Sequence, residues 1–381
     1  VERIYLDHAA TTPMHPDVAH EMMNAMQENF GNPSSIHFFG REARKVVNEA
    51  RRQLATTIAA KENEIIFTSG GTESDNHALS GVAHAYASKG KHIITTAIEH
   101  HAVLYTCQHL EKQGFEVTYL PVNEQGRISL EDLQNALRDD TILVSIMFGN
   151  NEVGTLQDIQ AVGEMLQEHQ AFFHTDAVQA YGIVPINVKK MKIDLLSVSS
   201  HKINGPKGIG FLYCREDIKL APVFHGGEQE RKRRAGTENL PAIVGFAKAS
   251  LIAQETMQKK GELFKQFKEQ MIQIFTEEQI AFSVNGSLEE SLPHVLNISF
   301  TGTNIEAMLA NLDIIGIAAS SGSACTAGTI DPSHVLVAMY GKNHERTTNS
   351  IRFSFGLNNT SDQVKQVADE IVRIVKRLTK Q

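Results

Sequence analysis

The sequence predicts an α/β protein in which a large domain with a mostly parallel sheet is joined to a smaller α+β unit. Three observations carry this. Short apolar runs alternate with helix-length segments through the first half of the chain, and each run closes on a polar cluster. Beyond about residue 250, apolar residues alternate at period two instead. At 381 residues the chain is also too long for one core, since single cores stop growing at roughly 250–300 residues.

Taken in order, Ala43, Val46, Val47, Ala50, Leu54 and Ile58 recur at i, i+3, i+4 spacing, so residues 41–59 read as an amphipathic helix. Glu64 to Thr68 reads as a strand entering the turn Ser69-Gly70-Gly71-Thr72, with a helix from about Asp75. Residues 92–96, 141–146, 171–174 and 194–198 are further strand-like runs. Strands alternating with helices imply a parallel sheet covered on both faces. Residues 255–278 read as a polar helix connecting the two units. Residues 295–300 and 350–354 suit a half-buried antiparallel sheet, and a terminal helix starts on the capping pair Thr360 and Gln363.

The balance of 36 Lys+Arg against 44 Asp+Glu, a net charge of −8, disfavours a nucleic-acid-binding surface. No apolar run nears the roughly 20 residues needed to span a bilayer, and Val1 to Asp7 has no signal-peptide character. The three cysteines, Cys107, Cys214 and Cys325, show no C-x-x-C spacing. Neither a disulfide framework nor a zinc site is expected, and a reducing cytoplasm fits.

In parallel sheets ligands bind beyond the carboxyl ends of the strands. Five polar clusters close the runs: Ser69 to Thr72, Glu99-His100, Asn150 to Glu152, Asp176, and Ser199 to Lys202. All five are expected on one edge. Lys202 lies at a strand end beside a glycine-rich turn, where burial would depress its pKa and let it form a Schiff base. An arbitrary lysine is a solvated surface group. Here a carboxylate (Asp176) and hydroxyl donors accompany it, which is the set a pyridoxal phosphate requires. The turn at Gly71 and Thr72 offers backbone N–H groups to a phosphate, although many strand-to-helix turns look similar. His100 could stack on a flat ring or carry a proton. Asn151 and Gln179 are near enough to serve the same ligand, and Arg352 could clamp a carboxylate. Cys325 sits in Ser320-Ser321-Gly322-Ser323-Ala324-Cys325-Thr326-Ala327, a stretch without apolar bulk that reads as a mobile loop. Cys107 and Cys214 read as small buried hydrophobes.

These residues together resemble the cysteine desulfurase family (NifS/IscS type, group I), class V aminotransferase relatives of fold-type I. The resemblance rests on Tyr5 to Thr12, Gly31 to Ser35, Thr68 to Asn76, Asn150 to Gly154, His201-Lys202, Arg234 to Thr237 and Ser321 to Cys325. It implies a large cofactor-binding domain over residues 15–255, with a seven-stranded-type sheet, and a small domain from residues 1–14 and 256–381. By the same resemblance Lys202 carries pyridoxal 5'-phosphate, Asp176 faces its ring nitrogen, Gln179 and Asn151 neighbour the ring oxygen, and His100 stacks on the ring. Gly71, Thr72, Ser199 and His201 hold the phosphate, which Thr237 reaches from the other subunit of a homodimer. Arg352 and Asn151 bind the carboxylate of L-cysteine. Cys325 takes the sulfur as a persulfide and passes it to an acceptor protein of iron–sulfur cluster assembly or tRNA thiolation. The sequence departs from the family pattern at Gly71, where Ala is frequent, and at Ala235, where Ser is frequent. A selenocysteine lyase or a transaminase is the nearest alternative, and a non-catalytic scaffold a more distant one.

Overall fold

The computed structural model describes residues 3–322 and 331–380. Its strands are β1 (Ile4–Tyr5), β2 (Ile65–Thr68), β3 (His92–Thr96), β4 (Glu116–Leu120), β5 (Thr141–Ser145), β6 (Phe172–Asp176), β7 (Leu195–Ser199), β8 (Gly210–Cys214), β9 (Phe282–Asn285), β10 (Val295–Phe300), β11 (Ile317–Ala318) and β12 (Ser350–Ser354). Seven of them form one sheet in the order β2-β8-β7-β6-β5-β3-β4. Only β8 is reversed, pairing antiparallel with both β2 and β7. The strands β2, β3, β5, β7 and β8 are buried at every position, as expected when helices cover both faces.

The order turns at β3 and β5. From β3 the chain moves outward to β4, whereas from β5 it proceeds through β6 to β7. Such a switch point opens a crevice at the carboxyl ends of the strands. The residues following β3 and β5 line the pocket described below.

A second sheet, β12-β10-β9, is antiparallel. It has its own core of Leu296, Ile298, Phe300, Ile351 and Phe353 against Val364, Val367, Ile371 and Val375 of the helix Ser361–Thr379. Each fully buried aliphatic side chain there contributes about 1.5–3 kcal/mol. Thr360 Oγ1 accepts from Gln363 N at 3.2 Å, capping that helix.

The two cores share one helix, Leu240–Glu277. Its first half places Ile243, Phe246 and Ala253 in the large core, and its second half places Phe264, Phe267, Met271 and Phe275 in the small one. This corrects the expectation of a connector limited to residues 255–278: the helix starts at Leu240, capped by the Asn239 side chain, with Pro241 in its first turn. The helix after β2 also starts earlier than expected, at Gly71 instead of about Asp75. Ile4 and Leu6 pack in the small core, while Ala9 and Val18 pack in the large one.

Candidate active site

Residues from the ends of β2, β3, β5, β6 and β7 converge on a pocket of about 390 Å³. Gly71, Thr72, His100, Asn151, Asp176, Gln179, Ser199, His201, Lys202 and Arg352 all line it. Thr237 does not; it lies exposed in a separate cleft beside Ser69, Glu230 and Arg234. Cys325 falls outside the described residues, three positions beyond Gly322, which lines the pocket together with Ser320.

The turn after β2 is held tightly. Gly70 has φ of +148°, a conformation that L side chains rarely adopt. Glu73 accepts from Ser69 N at 2.7 Å and from Arg234 Nε at 2.8 Å. Gly70 gives the helix Gly71–Ala85 no side-chain cap, an arrangement in which the first N–H groups suit an anion. A Cβ on Gly71 would lie 2.6 Å from Val178 Cγ2, so a larger residue here would require Val178 to shift.

His100 caps the helix His101–Lys112, its Nδ1 accepting from Ala102 N at 3.1 Å. That bond puts the ring hydrogen on Nε2. Desolvation by the pocket walls lowers the His100 pKa, outweighing the attraction of Asp176. Beneath it, fully buried Glu99 accepts from Thr96 Oγ1 and Met147 N, tying the end of β3 to the end of β5. Burial lifts Glu99 to about 8, so it is protonated at neutral pH.

Asp176 accepts from Val178 N at 2.9 Å, and burial raises its pKa. The nearby Asp75 is raised well above the usual carboxylate range, first by burial and then by Asp176. Two carboxylates in such a site do not both ionise. His174 lies 3.6 Å from Asp75 and bonds Ser145 Oγ and Ser197 Oγ; burial drops its pKa to about 3, so it is neutral and forms no ion pair.

Lys202 ends the short turn Ser200–Lys202 after β7. Its ammonium donates to the carbonyls of Ala9 and Ala10, the latter at 2.8 Å. Burial, followed by repulsion from Arg352, brings its pKa down to about 8. Gln179 Nε2 donates to the same Ala9 carbonyl at 2.8 Å. His201 bonds Thr11 Oγ1 at 3.0 Å and is neutral, with a pKa of about 4. Arg352, from β12, donates to Asn151 O and to Asp7 Oδ1, both at 2.8 Å, while its buried Nε has no hydrogen-bond partner among the described residues. Its backbone pairs with Ser320, holding the segment that leads toward Cys325 against the pocket wall.

Residues 4–367 match the sequence model of the family described as Aminotransferase class-V. The chain belongs to that family. Among its relatives, "Putative cysteine desulfurase IscS 1" of Bacillus subtilis (strain 168) is 59% identical over 379 residues, covering all of both chains. "Cysteine desulfurase IscS" of Methanosarcina thermophila is 50% identical, covering 98% of this chain and 92% of the relative. Among solved structures, one titled "NIFS-LIKE PROTEIN" superposes with a TM-score of 0.92 at 36% identity, covering 99% of this chain and all of that one. Another, "SspA in complex with cysteine", gives 0.79 at 36% identity over 92% of this chain and 98% of that one. The fold-type I architecture expected from the sequence is the one found.

Sequence reasoning missed Asp75, the Ala9 and Ala10 carbonyls and Asp7. Asp75 follows the Gly-Gly-Thr-Glu-Ser turn directly and carried a readable signal, an acid one helical turn from an uncapped helix start. The carbonyls carried none, because any residue supplies one.

Proposed function

We propose that this chain is a pyridoxal-phosphate-dependent cysteine desulfurase that releases L-alanine from L-cysteine and takes the sulfur as a persulfide on Cys325. The observation that carries this reading is Lys202, held at a strand end with a pKa near 8 and facing Asp176 across a pocket whose other walls supply uncapped helix N–H groups and Arg352.

The donor set fits the cofactor. The helix start at Gly71 and Thr72, with Ser199 and His201, would hold its phosphate; His100 would cover its ring; Gln179 and Asn151 would neighbour its ring oxygen. Burial disfavours the Asp176 anion unless a cation faces it, and a protonated ring nitrogen is such a cation. When bound, the cofactor supplies an aldehyde for the amine and an electron sink that makes the substrate Cα–H acidic. Lys202 Nζ takes that proton, a transfer of a kind worth about 10²–10⁴-fold. Arg352 and Asn151 orient the substrate carboxylate.

The thiolate of Cys325 then attacks the substrate sulfur. An S–S bond forms, the Cβ–S bond breaks with its electron pair passing to Cβ, and protonation of Cβ together with return of a proton to Cα gives alanine. Cys107 and Cys214 do not compete, since both are buried and burial pushes both thiols up, Cys214 to about 12. The persulfide sulfur passes to an acceptor protein of iron–sulfur cluster assembly or tRNA thiolation. A homodimer, with Thr237 reaching the neighbouring phosphate, is part of the proposal. So is a division into residues 15–255 and residues 1–14 with 256–381, which the small unit's own core around Leu296, Ile298, Phe300, Ile351 and Phe353 supports. The test is Cys325→Ser. It is expected to keep the bound cofactor's visible absorbance and to lose sulfur transfer to a thiol acceptor; undiminished persulfide formation in that variant would refute the assignment.

A further inference from the structure

Two clefts meet at Lys202. One is the pocket above. The other is narrow, about 30 Å³, with His8, His294, Thr12, Lys260 and Phe355 in its walls, and among the described residues Lys202 alone lines both. On its outer side His8, Thr12 and Leu357 also border an open surface groove of about 440 Å³ that runs past Arg3 and Gln363. Groove, cleft and pocket therefore follow one another, with His8 at the first junction and Lys202 at the second.

The cleft walls are more apolar than polar, but the two histidines set in them are short of partners. His8 and His294 are 3% and 5% exposed. Neither ring nitrogen of His8 makes a well-formed hydrogen bond among the described residues, though the Tyr5 backbone and Asn359 lie close to the ring. His294 Nδ1 also has no partner. The His294 tautomer follows from its neighbours. Gln179 Nε2 donates to Ala9 O, which turns its Oε1 toward His294 Nε2 at 3.4 Å. An amide oxygen only accepts, so Nε2 carries the hydrogen and Nδ1 presents a bare lone pair. Gly356 protects the arrangement, because a Cβ there would lie 2.1 Å from His8 Nδ1. Buried polar atoms that protein leaves unpaired are satisfied by ordered water. The cleft exceeds the roughly 10–15 Å³ that one water requires.

We propose that this cleft is a solvent port, in which one or two ordered waters join the surface groove to Lys202 and let the lysine exchange protons while substrate fills the pocket. The proposal rests on the desulfurase reading. Of the three N–H groups on the Lys202 ammonium, two are directed to the Ala9 and Ala10 carbonyls, which leaves one for the cleft. That N–H gives its proton to the cleft water, and the water passes one of its own protons outward. The nitrogen keeps its lone pair, nothing is oxidised or reduced, and the reverse transfer restores the ammonium. His8 and His294 align the waters as neutral rings; burial holds their pKa values at about 4 and about 3, so the proton does not stop on them.

The test uses the full-length, cofactor-loaded protein turning over unlabelled L-cysteine in D2O, with the protium left in alanine read by mass spectrometry. The wild-type protein is expected to lose the substrate's Cα protium to solvent. His8→Phe and His294→Phe keep the ring volume and remove the polar atoms, while Leu357→Trp blocks the groove end without touching the pocket. Each is expected to raise retained protium several-fold. Independently of turnover, a high-resolution crystal structure is expected to show a water within hydrogen-bond distance of His294 Nδ1. A dry cleft, or retained protium unchanged in both His8→Phe and Leu357→Trp, overturns the port. If the wild-type protein forms no alanine, the desulfurase reading falls, and the crystallographic water still decides the port.

Discussion

Removing the Arg352 guanidinium tests the substrate-binding wall of the pocket. Arginine carries five N–H donors. One goes to Asn151 O, one to Asp7 Oδ1, and the Nε–H has no partner among the described residues. A substrate carboxylate can accept the Nε–H and a neighbouring N–H as a bidentate pair. Hydrogen bonds to charged groups contribute about 1.5–3 kcal/mol each. Two at the lower figure give about 3 kcal/mol, so Arg352→Ala is expected to lose about 10²-fold in kcat/KM at 1.4 kcal/mol per tenfold. Because the carboxylate is bound before and during the reaction, most of the loss should appear in KM. Arg352→Lys keeps the charge without the planar fork and should recover only part of it. Half-buried Asp7 loses its partner in the alanine variant, so Arg352→Ala/Asp7→Asn separates that stability cost from the binding effect. The assay is alanine formation against L-cysteine concentration, with thermal melting in parallel. An unchanged KM in a folded Arg352→Ala protein would show that the carboxylate binds elsewhere.

Acylation of Lys202 in the cofactor-free protein, followed by peptide mass spectrometry, is expected to be half-maximal near pH 8; in Arg352→Ala the midpoint should rise, since Arg352 is one of the charges depressing it. Buried Lys268 donates to Leu292 O at 2.7 Å, and burial lowers its pKa from 10.5 to about 7. Between those values the unfolded chain holds a proton the native state lacks, so this group's contribution to stability rises with pH by up to about 1.4 kcal/mol per unit. Lys268→Met should therefore gain on wild type in acid and lose that gain progressively between about pH 7 and pH 10.5, as read from melting temperatures. Glu99 has the opposite sign: raised from 4.5 to about 8, it holds a proton in the native state that the unfolded chain gives up. Its stabilisation fades as pH rises through that window, and Glu99→Gln, which mimics the protonated acid, should flatten the profile.

The strands that position the site were readable because each is a buried run of branched apolar residues ending in a polar cluster, as β5 and β7 are. β4 was missed because it lies at the sheet edge, half exposed and beginning with Glu116. β8 was missed because its Gly210-Phe211-Leu212-Tyr213-Cys214 follows directly on a glycine- and proline-rich turn. The helix start at Gly71 was misjudged because paired glycines disfavour helix in isolation; packing of Gly71 against Val178 and Ser199 overrides that preference. Lys202 and Asp176 were legible from position alone. The backbone carbonyls that receive Lys202 were not, since they depend on the N-terminal segment crossing the site.

That crossing has a consequence for the order of assembly. Leu6 N bonds Ala318 O, and Ala9 N bonds Ser354 Oγ across a sequence separation of 345 residues. During synthesis at about 5–20 residues per second, Ala9 waits roughly 17–70 s for the residue that fixes it. Until then the carbonyls that hold Lys202 have no fixed position. The large sheet can form on the ribosome well before this, yet a cofactor arriving early would meet a nest with one wall missing. Tight capture is thus a late event, timed by the last strand of the small sheet to be made.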